Sequence, residues 1–293
     1  MPRFLACLTP DWPLASSLAE SLNITQLPIT HRRHPDQESH LVVGADVDGA
    51  EIVLLANLHH PDQHTLPVLL LAATLRDLGA RHIHLVAPYL AYMRQDIRFQ
   101  PGEGVTSRYY ARLLSSHVDA LTTIDPHLHR YHALDEIYTI PDTVLHAAPV
   151  LAEWVSQHVS RPLLVGPDSE SEQWVREVAE GAGADYVIGS KQRQGDRSVR
   201  VTLPDLSRWH GHTPVLVDDI ISSGRTMIEA NRAVMAQGLP AAICLGVHAV
   251  FDTSDYQTLQ QAVDKVMTCD CIPHASNGIS VAALLASALQ TAP

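Results

Sequence analysis

The part of the sequence best suited to chemistry is Val215–Met227, where an apolar run ends in two carboxylates and a short polar loop leads into a predicted helix. Backbone N–H groups of a tight loop and of a helix N-terminus bind anions, and hydroxyl groups add donors. The residues that would form this phosphate site are Ser222, Ser223, Gly224, Arg225 and Thr226. Asp218 and Asp219 cannot bind phosphate, but they can accept hydrogen bonds from vicinal sugar hydroxyls or bind hydrated magnesium. A ligand with a diol and a phosphate, such as ribose 5-phosphate, fits both halves.

An ordinary strand, turn and capped helix is the structural alternative for this stretch. Ser and Asp are common N-cap residues, and Gly is common in turns. Two adjacent aspartates after an apolar strand are, however, hard to explain by structure alone. We therefore favour the binding interpretation for residues 218–226.

Other polar residues also follow predicted strands. Arg94, Gln95 and Asp96 stand in succession and offer a guanidinium fork, an amide and a carboxylate, which can bind the phosphates and base of a nucleotide. A solvated helix start would explain this segment equally well. His127 and Asp168 each follow a strand, and ligands of parallel sheets bind beyond the carboxyl ends of the strands. A single histidine in such a place is more often structural.

Lys191 and Arg193 follow another predicted strand and precede the polar run 194–197. A short basic loop is usually a solvated connection. Cations on a closing loop also suit phosphoryl transfer, which needs charge neutralisation and the exclusion of water.

Composition limits the classes of protein. The chain has 293 residues with 46% hydrophobic content, which is enough for one large globular unit or two ordinary domains. Its net charge of −12 argues against general nucleic-acid binding. The sequence has no apolar run of membrane-spanning length, and Met1–Leu8 is too short for a signal peptide, so we expect a cytoplasmic protein that does not bind membranes. The four cysteines form no CxxC pair and are expected to be buried free thiols.

Apolar runs alternate with helical patterns, which predicts an α/β protein with largely parallel sheets. The predicted strands are 4–8, 52–56, 83–87, 120–124, 163–166, 186–189, 199–203, 215–217, 242–247 and 265–268. The predicted helices are 66–78, 107–116, 144–158, 171–181, 226–236 and 281–289. Pro141 and Pro149 bracket a boundary, which divides the chain into domains 1–145 and 146–293.

Three of these motifs together resemble a known family. Val215–Met227 resembles the phosphoribosyl-pyrophosphate (PRPP) binding motif that type I phosphoribosyltransferases share with ribose-phosphate pyrophosphokinases, with Arg225 in place of the usual Gly. The Arg-Gln-Asp segment at 94–96 resembles the one that holds ATP in the pyrophosphokinases and that the transferases lack. The Lys-Gln-Arg segment at 191–193 resembles the Lys-x-Arg at the root of the family's catalytic flexible loop.

Weaker matches extend the resemblance over nearly the whole chain. Asp125-Pro126-His127 resembles an Asp-Leu-His element whose histidine approaches the nucleotide phosphates and the metal. His34–Glu38 resembles a Phe-Pro-Asp-Gly-Glu element that contacts adenine from a neighbouring subunit, with Asp36 and Glu38 matching. The stretch 98–108 is closer to archaeal-type members of the family.

The resemblance implies two similar phosphoribosyltransferase-like domains, each a mainly parallel sheet flanked by helices. It implies transfer of the β,γ-diphosphate of ATP to the 1-hydroxyl of ribose 5-phosphate, which gives PRPP and AMP. Residues 1–145 would form the ATP side and 146–293 the ribose 5-phosphate side. The implied ATP-binding residues are Asp36, Glu38, Arg94, Gln95, Asp96 and His127. Lys191 and Arg193 would be catalytic, and His127 and Asp168 would bind the Mg²⁺ cofactor.

The neighbour-supplied residues imply a homodimer or a higher homo-oligomer. Two alternatives stay open from the sequence. One is a type I phosphoribosyltransferase that consumes PRPP, and the other is a non-catalytic regulatory protein associated with PRPP synthetase.

Overall fold

The computed structural model describes residues 2–193 and 199–291. The chain forms two compact units, one of Met1–Leu145 with Ala282–Pro293 and the other of His146–Val281. In the part of the chain that is described, no helix is both long and apolar enough to cross a membrane.

The first unit is built on a six-stranded parallel sheet. Its strands and helices in chain order are β1 (Arg3–Cys7), α1 (Pro13–Leu22), β2 (Thr25–Gln26), β3 (Ile29–Arg33), β4 (Ser39–Val43), β5 (Glu51–Leu55), α2 (Pro61–Asp77), β6 (His82–Val86), α3 (Thr106–Ser115), β7 (Ala120–Ile124) and β8 (Asp142–Leu145). The strand order is β2-β1-β5-β6-β7-β8, and β3 and β4 form a separate antiparallel hairpin.

The second unit has an equivalent six-stranded parallel sheet. Its elements are α4 (Ala148–His158), β9 (Pro162–Gly166), α5 (Glu172–Ala182), β10 (Asp185–Ile188), β11 (Ser190–Arg193), β12 (Val199–Thr202), β13 (Thr213–Ile221), α6 (Arg225–Ala236), β14 (Ile243–Ala249), α7 (Thr253–Ala262), β15 (Lys265–Cys269) and β16 (Asn277–Ile279). The strand order is β10-β9-β13-β14-β15-β16, and β11 and β12 form a separate antiparallel hairpin. The predicted fold class is confirmed, and the two sheets share one topology.

The central strands are mostly apolar and are buried along their whole length. Every residue of β7 and of β14 is buried, as expected for parallel strands with helices on both sides. Residues with left-handed backbone end two of the covering helices, Asn23 after α1 and Gly183 after α5. Because the strands within each sheet pair in parallel, their carboxyl ends lie along one edge of that sheet.

Several predicted boundaries differ from the structure, and the one that matters most for the domain division is the start of α4. The predicted helix 144–158 is wrong at its start, because Asp142–Leu145 form the edge strand β8 and α4 begins at Ala148. Pro149 lies in the first turn of α4, where proline is tolerated, whereas a helix starting at residue 144 would have placed it in the interior.

The last helix, α8 (Ala282–Thr291), belongs to the first unit, whereas the sequence had assigned it to the second domain. Arg3 Nη2 donates a hydrogen bond to the carbonyl of Leu289 at 3.0 Å. Gln290 Nε2 donates to the carbonyl of Ser21 at 3.5 Å, so α8 packs beside α1. These contacts join opposite ends of the chain, which local sequence patterns do not reveal.

Candidate active site

The aspartate pair of the second unit lies on β13 itself, at the carboxyl edge of the sheet. On one side β13 pairs with β9 only as far as Leu216 opposite Val165. On the other side it continues along β14 as far as Ile221 opposite Ala249. The end of β13 that carries Asp218 therefore extends beyond β9.

Asp218 and Asp219 are half-buried and hydrogen-bonded to the backbone. Asp218 Oδ1 accepts from the N–H of Asp219 at 3.1 Å, and Asp219 Oδ1 accepts from the N–H of Ile220 at 2.8 Å. Burial raises the pKa of Asp218 well above its usual value, and the charges of Asp219 and Asp168 raise it further, while Lys191 opposes the rise. Carboxylates crowded in this way favour a ligand that brings hydroxyl donors or positive charge.

Asp168 and Lys191 form an ion pair beside the aspartates. Lys191 Nζ lies 3.2 Å from Asp168 Oδ2, and both side chains are mostly shielded from solvent. The N–H of Ser171 donates to the other carboxylate oxygen of Asp168 at 3.3 Å. Lys191 lies on β11 opposite Val201 of β12, so the hairpin carries the cation to the sheet edge. The side chain of Arg193 and residues 194–198 lie outside the described part of the chain.

The predicted phosphate loop lies between β13 and α6. Gly224 has φ +67°, and a Cβ there would lie 3.2 Å from Cβ of Leu259, so both the backbone conformation and the close approach favour glycine. Helix α6 begins at the next residue, and among the described residues no side chain caps its N-terminus. The first-turn N–H groups are therefore available to an anion, and Ser222, Ser223 and Thr226 bring hydroxyl donors to the same loop.

Arg225 is the first residue of α6, and it is exposed. The side chain that departs from the family pattern therefore needs no space inside the loop. A cation at a helix N-terminus is unfavourable because it meets the positive end of the helix dipole. The first turn has no acid to offset it, so a bound anion would relieve the repulsion.

In the first unit, the Arg94–Asp96 segment lies after β6. Arg94 is exposed, and Gln95 Oε1 accepts a hydrogen bond from Thr106 Oγ1 at 3.0 Å. The carboxylate of Asp96 is buried and accepts from Arg130 Nη1 at 3.0 and 3.2 Å. Asp96 thus binds a protein cation, which the sequence interpretation missed. Arg130 lies far along the chain and carries no motif of its own.

His127 lies after β7 in the same unit. The chain turns at Asp125, which is buried and has φ +39°. The His127 ring stacks on that of His129, with 6.0 Å between the centroids. The arrangement presents an imidazole pair beyond the carboxyl end of the strand.

Asp36 and Glu38 lie at the exposed tip of the β3–β4 hairpin. The N–H of His34 donates to the carbonyl of Glu38 at 2.8 Å, and Asp36 Oδ1 accepts from the N–H of Glu38 at 3.2 Å. Gln37 has φ +74°, which explains why the corresponding position of the family motif is Gly. An acidic, exposed tip of this kind is suited to contact outside its own unit.

No set of three or more His, Cys, Asp or Glu residues converges to hold a metal within residues 2–193 and 199–291. This does not conflict with a magnesium site, since Mg²⁺ is commonly bound by one or two carboxylates together with substrate phosphates and water. The carboxylates of Asp168, Asp218 and Asp219 are the donors of the second unit that suit such an ion.

Comparison with known proteins identifies the family. A model described as the N-terminal domain of ribose phosphate pyrophosphokinase matches residues 5–117, and a phosphoribosyl transferase domain model matches residues 133–284. A ribose-phosphate pyrophosphokinase from Methanopyrus kandleri is 31% identical over 94% of this chain and 95% of its own length. This chain belongs to the ribose-phosphate pyrophosphokinase family. Another member, from Sulfurisphaera tokodaii, is 32% identical over 90% of this chain and 91% of its own length.

A solved structure has the same fold as this chain over almost its whole length. The crystal structure of phosphoribosylpyrophosphate synthetase from Mycobacterium smegmatis has a TM-score of 0.84 with 22% sequence identity, and covers 99% of this chain and 98% of its own. The predicted resemblance, including its archaeal character, is confirmed. The match to the pyrophosphokinase N-terminal domain also distinguishes this chain from a phosphoribosyltransferase that has only the second unit.

Proposed function

We propose that this pyrophosphokinase transfers the β,γ-diphosphate of ATP to the 1-hydroxyl of ribose 5-phosphate and releases AMP and PRPP. The observation that carries the proposal is the cluster of the second unit, in which three carboxylates and Lys191 lie at the sheet edge beside an uncapped helix N-terminus. Membership of the family over nearly the whole chain supports the same reaction.

The acceptor sugar occupies the second unit in this proposal. The loop Ser222–Thr226 holds the 5-phosphate through backbone N–H groups and hydroxyls. Asp218 and Asp219 accept hydrogen bonds from the ribose hydroxyls, which relieves the repulsion between the two carboxylates. The sugar is thereby fixed at both ends, and its 1-hydroxyl is held for attack.

The 1-hydroxyl oxygen attacks the β-phosphorus of ATP in line. The new bond joins this oxygen to the β-phosphorus, and the bond from the β-phosphorus to the α-phosphate oxygen breaks. AMP leaves with that oxygen, and the hydroxyl proton is released. Lys191 and Arg193 stabilise negative charge on the diphosphate during transfer, with Lys191 exchanging its contact with Asp168 for one with the diphosphate.

The cofactor of this proposal is Mg²⁺. The crowding that raises the pKa of Asp218 fits a divalent cation, because positive charge offsets both the burial and the repulsion. One or two of the second-unit carboxylates, Asp168 among them, would hold the ion together with substrate phosphates and water, and His127 would bind the magnesium that accompanies the nucleotide. When bound, magnesium supplies positive charge to the polyphosphate.

The nucleotide is held by residues of the first unit. Arg94 and Gln95 bind its phosphates and base, and Asp96 contributes by holding Arg130 at the same segment. Asp36 and Glu38 contact the adenine from a neighbouring subunit, so the working enzyme is a homodimer or a higher homo-oligomer. ATP and ribose 5-phosphate are the substrates, and the cytoplasm stays the predicted location.

A coupled assay of AMP release with ATP, ribose 5-phosphate and Mg²⁺ tests the proposal. The wild type is expected to release AMP only when both substrates are present. Lys191→Ala is expected to lower kcat at least about a hundredfold, as is typical for loss of a group that stabilises transition-state charge. The chain has one other lysine, Lys265, which lies over the Trp154 ring. Lys265→Ala is the matched control and should keep wild-type turnover.

Two outcomes would support the rival functions. Formation of a nucleotide from PRPP and a free base, without AMP release from ATP, would favour a phosphoribosyltransferase. Binding of ATP without turnover would favour a regulatory protein. Unchanged turnover in a folded Lys191→Ala variant would show that the hairpin lysine has no catalytic role.

A further inference from the structure

The first unit contains the topological equivalent of the phosphate loop. Strand β5 lies beside β1 in its sheet as β13 lies beside β9 in the other, and each leads into a helix, α2 or α6. Both helices begin directly after a residue with left-handed backbone, His60 with φ +53° before α2 and Gly224 with φ +67° before α6. The two helix starts are therefore built alike.

The chemistry of the α2 start excludes phosphate binding. Pro61 removes one of the first-turn N–H donors, and the carboxylate of Asp62 places a negative charge where an anion would bind. The equivalent positions of α6 are Arg225 and Thr226, which attract or bind an anion. In the first unit, the start of helix α2 must therefore have a partner other than an anion.

That partner is a tyrosine of the segment after β6. The hydroxyl of Tyr92 donates a hydrogen bond to Asp62 Oδ1. The Tyr92 ring packs against that of Tyr110, with 4.7 Å between the centroids, and the Tyr110 hydroxyl is within 2.9 Å of Thr65 Oγ1, also on α2. The first two turns of α2 thus hold Tyr92 both directly and through Tyr110.

Tyr92 has a backbone conformation that bulky residues rarely adopt, with φ +61°. Such a conformation persists only where the surroundings enforce it, and it is common at functional sites. Two residues later the chain reaches the exposed Arg94. Beyond Arg94, Gln95 and Asp96 are fixed by Thr106 and Arg130. Arg94 is therefore held between two anchored stretches of chain.

We propose that Asp62 and Tyr92 form a positioning pair, in which the helix start topologically equivalent to the phosphate loop fixes the backbone that presents Arg94 to the triphosphate of ATP. This inference rests on the proposed function, because it assigns Arg94 to the nucleotide. The pair does not touch the substrate and acts through the geometry of the chain from Tyr92 to Arg94.

Steady-state kinetics of Asp62→Ala, which removes the acceptor, and of Tyr92→Phe, which removes the donor, test the pair. Each variant is expected to raise KM for ATP by about three- to tenfold, the size of one net hydrogen bond. KM for ribose 5-phosphate should stay within about twofold of wild type. The double variant should have the same KM for ATP as the single variants, because each single variant already removes the one hydrogen bond between these two residues. Asp62→Glu keeps an acceptor and should recover part of the affinity for ATP. Asp77 is an exposed aspartate at the end of α2, and Asp77→Ala is the control that should change neither KM.

The inference is overturned if KM for ATP is unchanged in both single variants. It is also overturned if both KM values rise together with a fall in Tm, since that pattern indicates a purely structural role. Calorimetric binding of a non-hydrolysable ATP analogue to the same variants distinguishes this failure from failure of the proposed function. Weaker analogue binding in the variants would support the pair even if the wild type released no AMP.

Discussion

Replacing Asp218 by asparagine is expected to make the ligand-free protein more stable and at the same time inactive. Burial and the charges of Asp219 and Asp168 raise the pKa of Asp218, so its ionised form is unfavourable in the folded protein. The substitution removes that charge and keeps the side-chain oxygen that accepts from the N–H of Asp219. Residues that bind ligands often reduce stability in this way.

The expected gain is about 0.5–2 kcal/mol in the free energy of unfolding, the range usual for relief of such a conflict. A change of 1 kcal/mol moves Tm by about 2–4 °C for a domain of 150–250 residues and by more for a smaller one. The gain must depend on pH. Below the pKa of about 3.9 for an unfolded aspartate the wild-type side chain is protonated in both states. As pH rises from the unfolded pKa through the raised folded pKa, the wild type loses free energy of unfolding and the variant does not. The difference in unfolding free energy between variant and wild type therefore grows from zero to its full value over this pH range.

Thermal unfolding from pH 3.5 to 8, in EDTA and without substrates, measures this difference. Asp205→Asn is the control with the opposite sign. Hydrogen bonds from Ser207 lower the pKa of Asp205, so its contribution to stability is present above the unfolded pKa and is lost as pH falls through the folded pKa. The electrostatic account of the site would be refuted if Asp218→Asn were less stable than wild type at pH 7.5. It would also be refuted if the variant were more stable by the same amount at every pH.

Two further predictions concern the phosphate loop and the nucleotide segment. Gly224→Ala is expected to lower the free energy of unfolding by about 1–2 kcal/mol and to raise KM for ribose 5-phosphate, because the loop must change its backbone conformation. Gly238→Ala, at another glycine with positive φ (+83°), is the control: it should lower the free energy of unfolding without changing KM. Arg130→Ala should cost about 1–3 kcal/mol in denaturant unfolding, because it leaves the buried Asp96 carboxylate without its cation. Adding Asp96→Asn should recover most of that loss, and no recovery would refute the ion-pair explanation.

The sheets were predictable from the sequence because buried parallel strands are mostly apolar and form short continuous runs. The β3–β4 hairpin was not predicted, since Ile29–Arg33 contains polar and charged residues on a partly exposed strand. The α2 helix begins at Pro61, earlier than the predicted residue 66, because its first turn is polar and carries no apolar periodicity. Local patterns thus predict the core strands and miss the exposed elements.

The residues of the second-unit site were predictable because they lie at fixed places along one strand–loop–helix. Asp168 and Lys191 belong to other elements, and only the fold brings them together as an ion pair. The partner of Asp96 and the partner of Tyr92 could not be read from the sequence. Each of these contacts joins segments about thirty residues apart, and neither has a motif of its own.

Phosphorus NMR of a reaction of the wild type with ATP, ribose 5-phosphate and Mg²⁺ tests the central claim most directly. Transfer of the intact β,γ-diphosphate predicts AMP and PRPP in equal amounts, with the diphosphate on the 1-oxygen of the sugar and no ADP. Formation of ADP with a ribose bisphosphate would show transfer of a single phosphoryl group. Either that result or unchanged ribose 5-phosphate beside ATP would contradict the account.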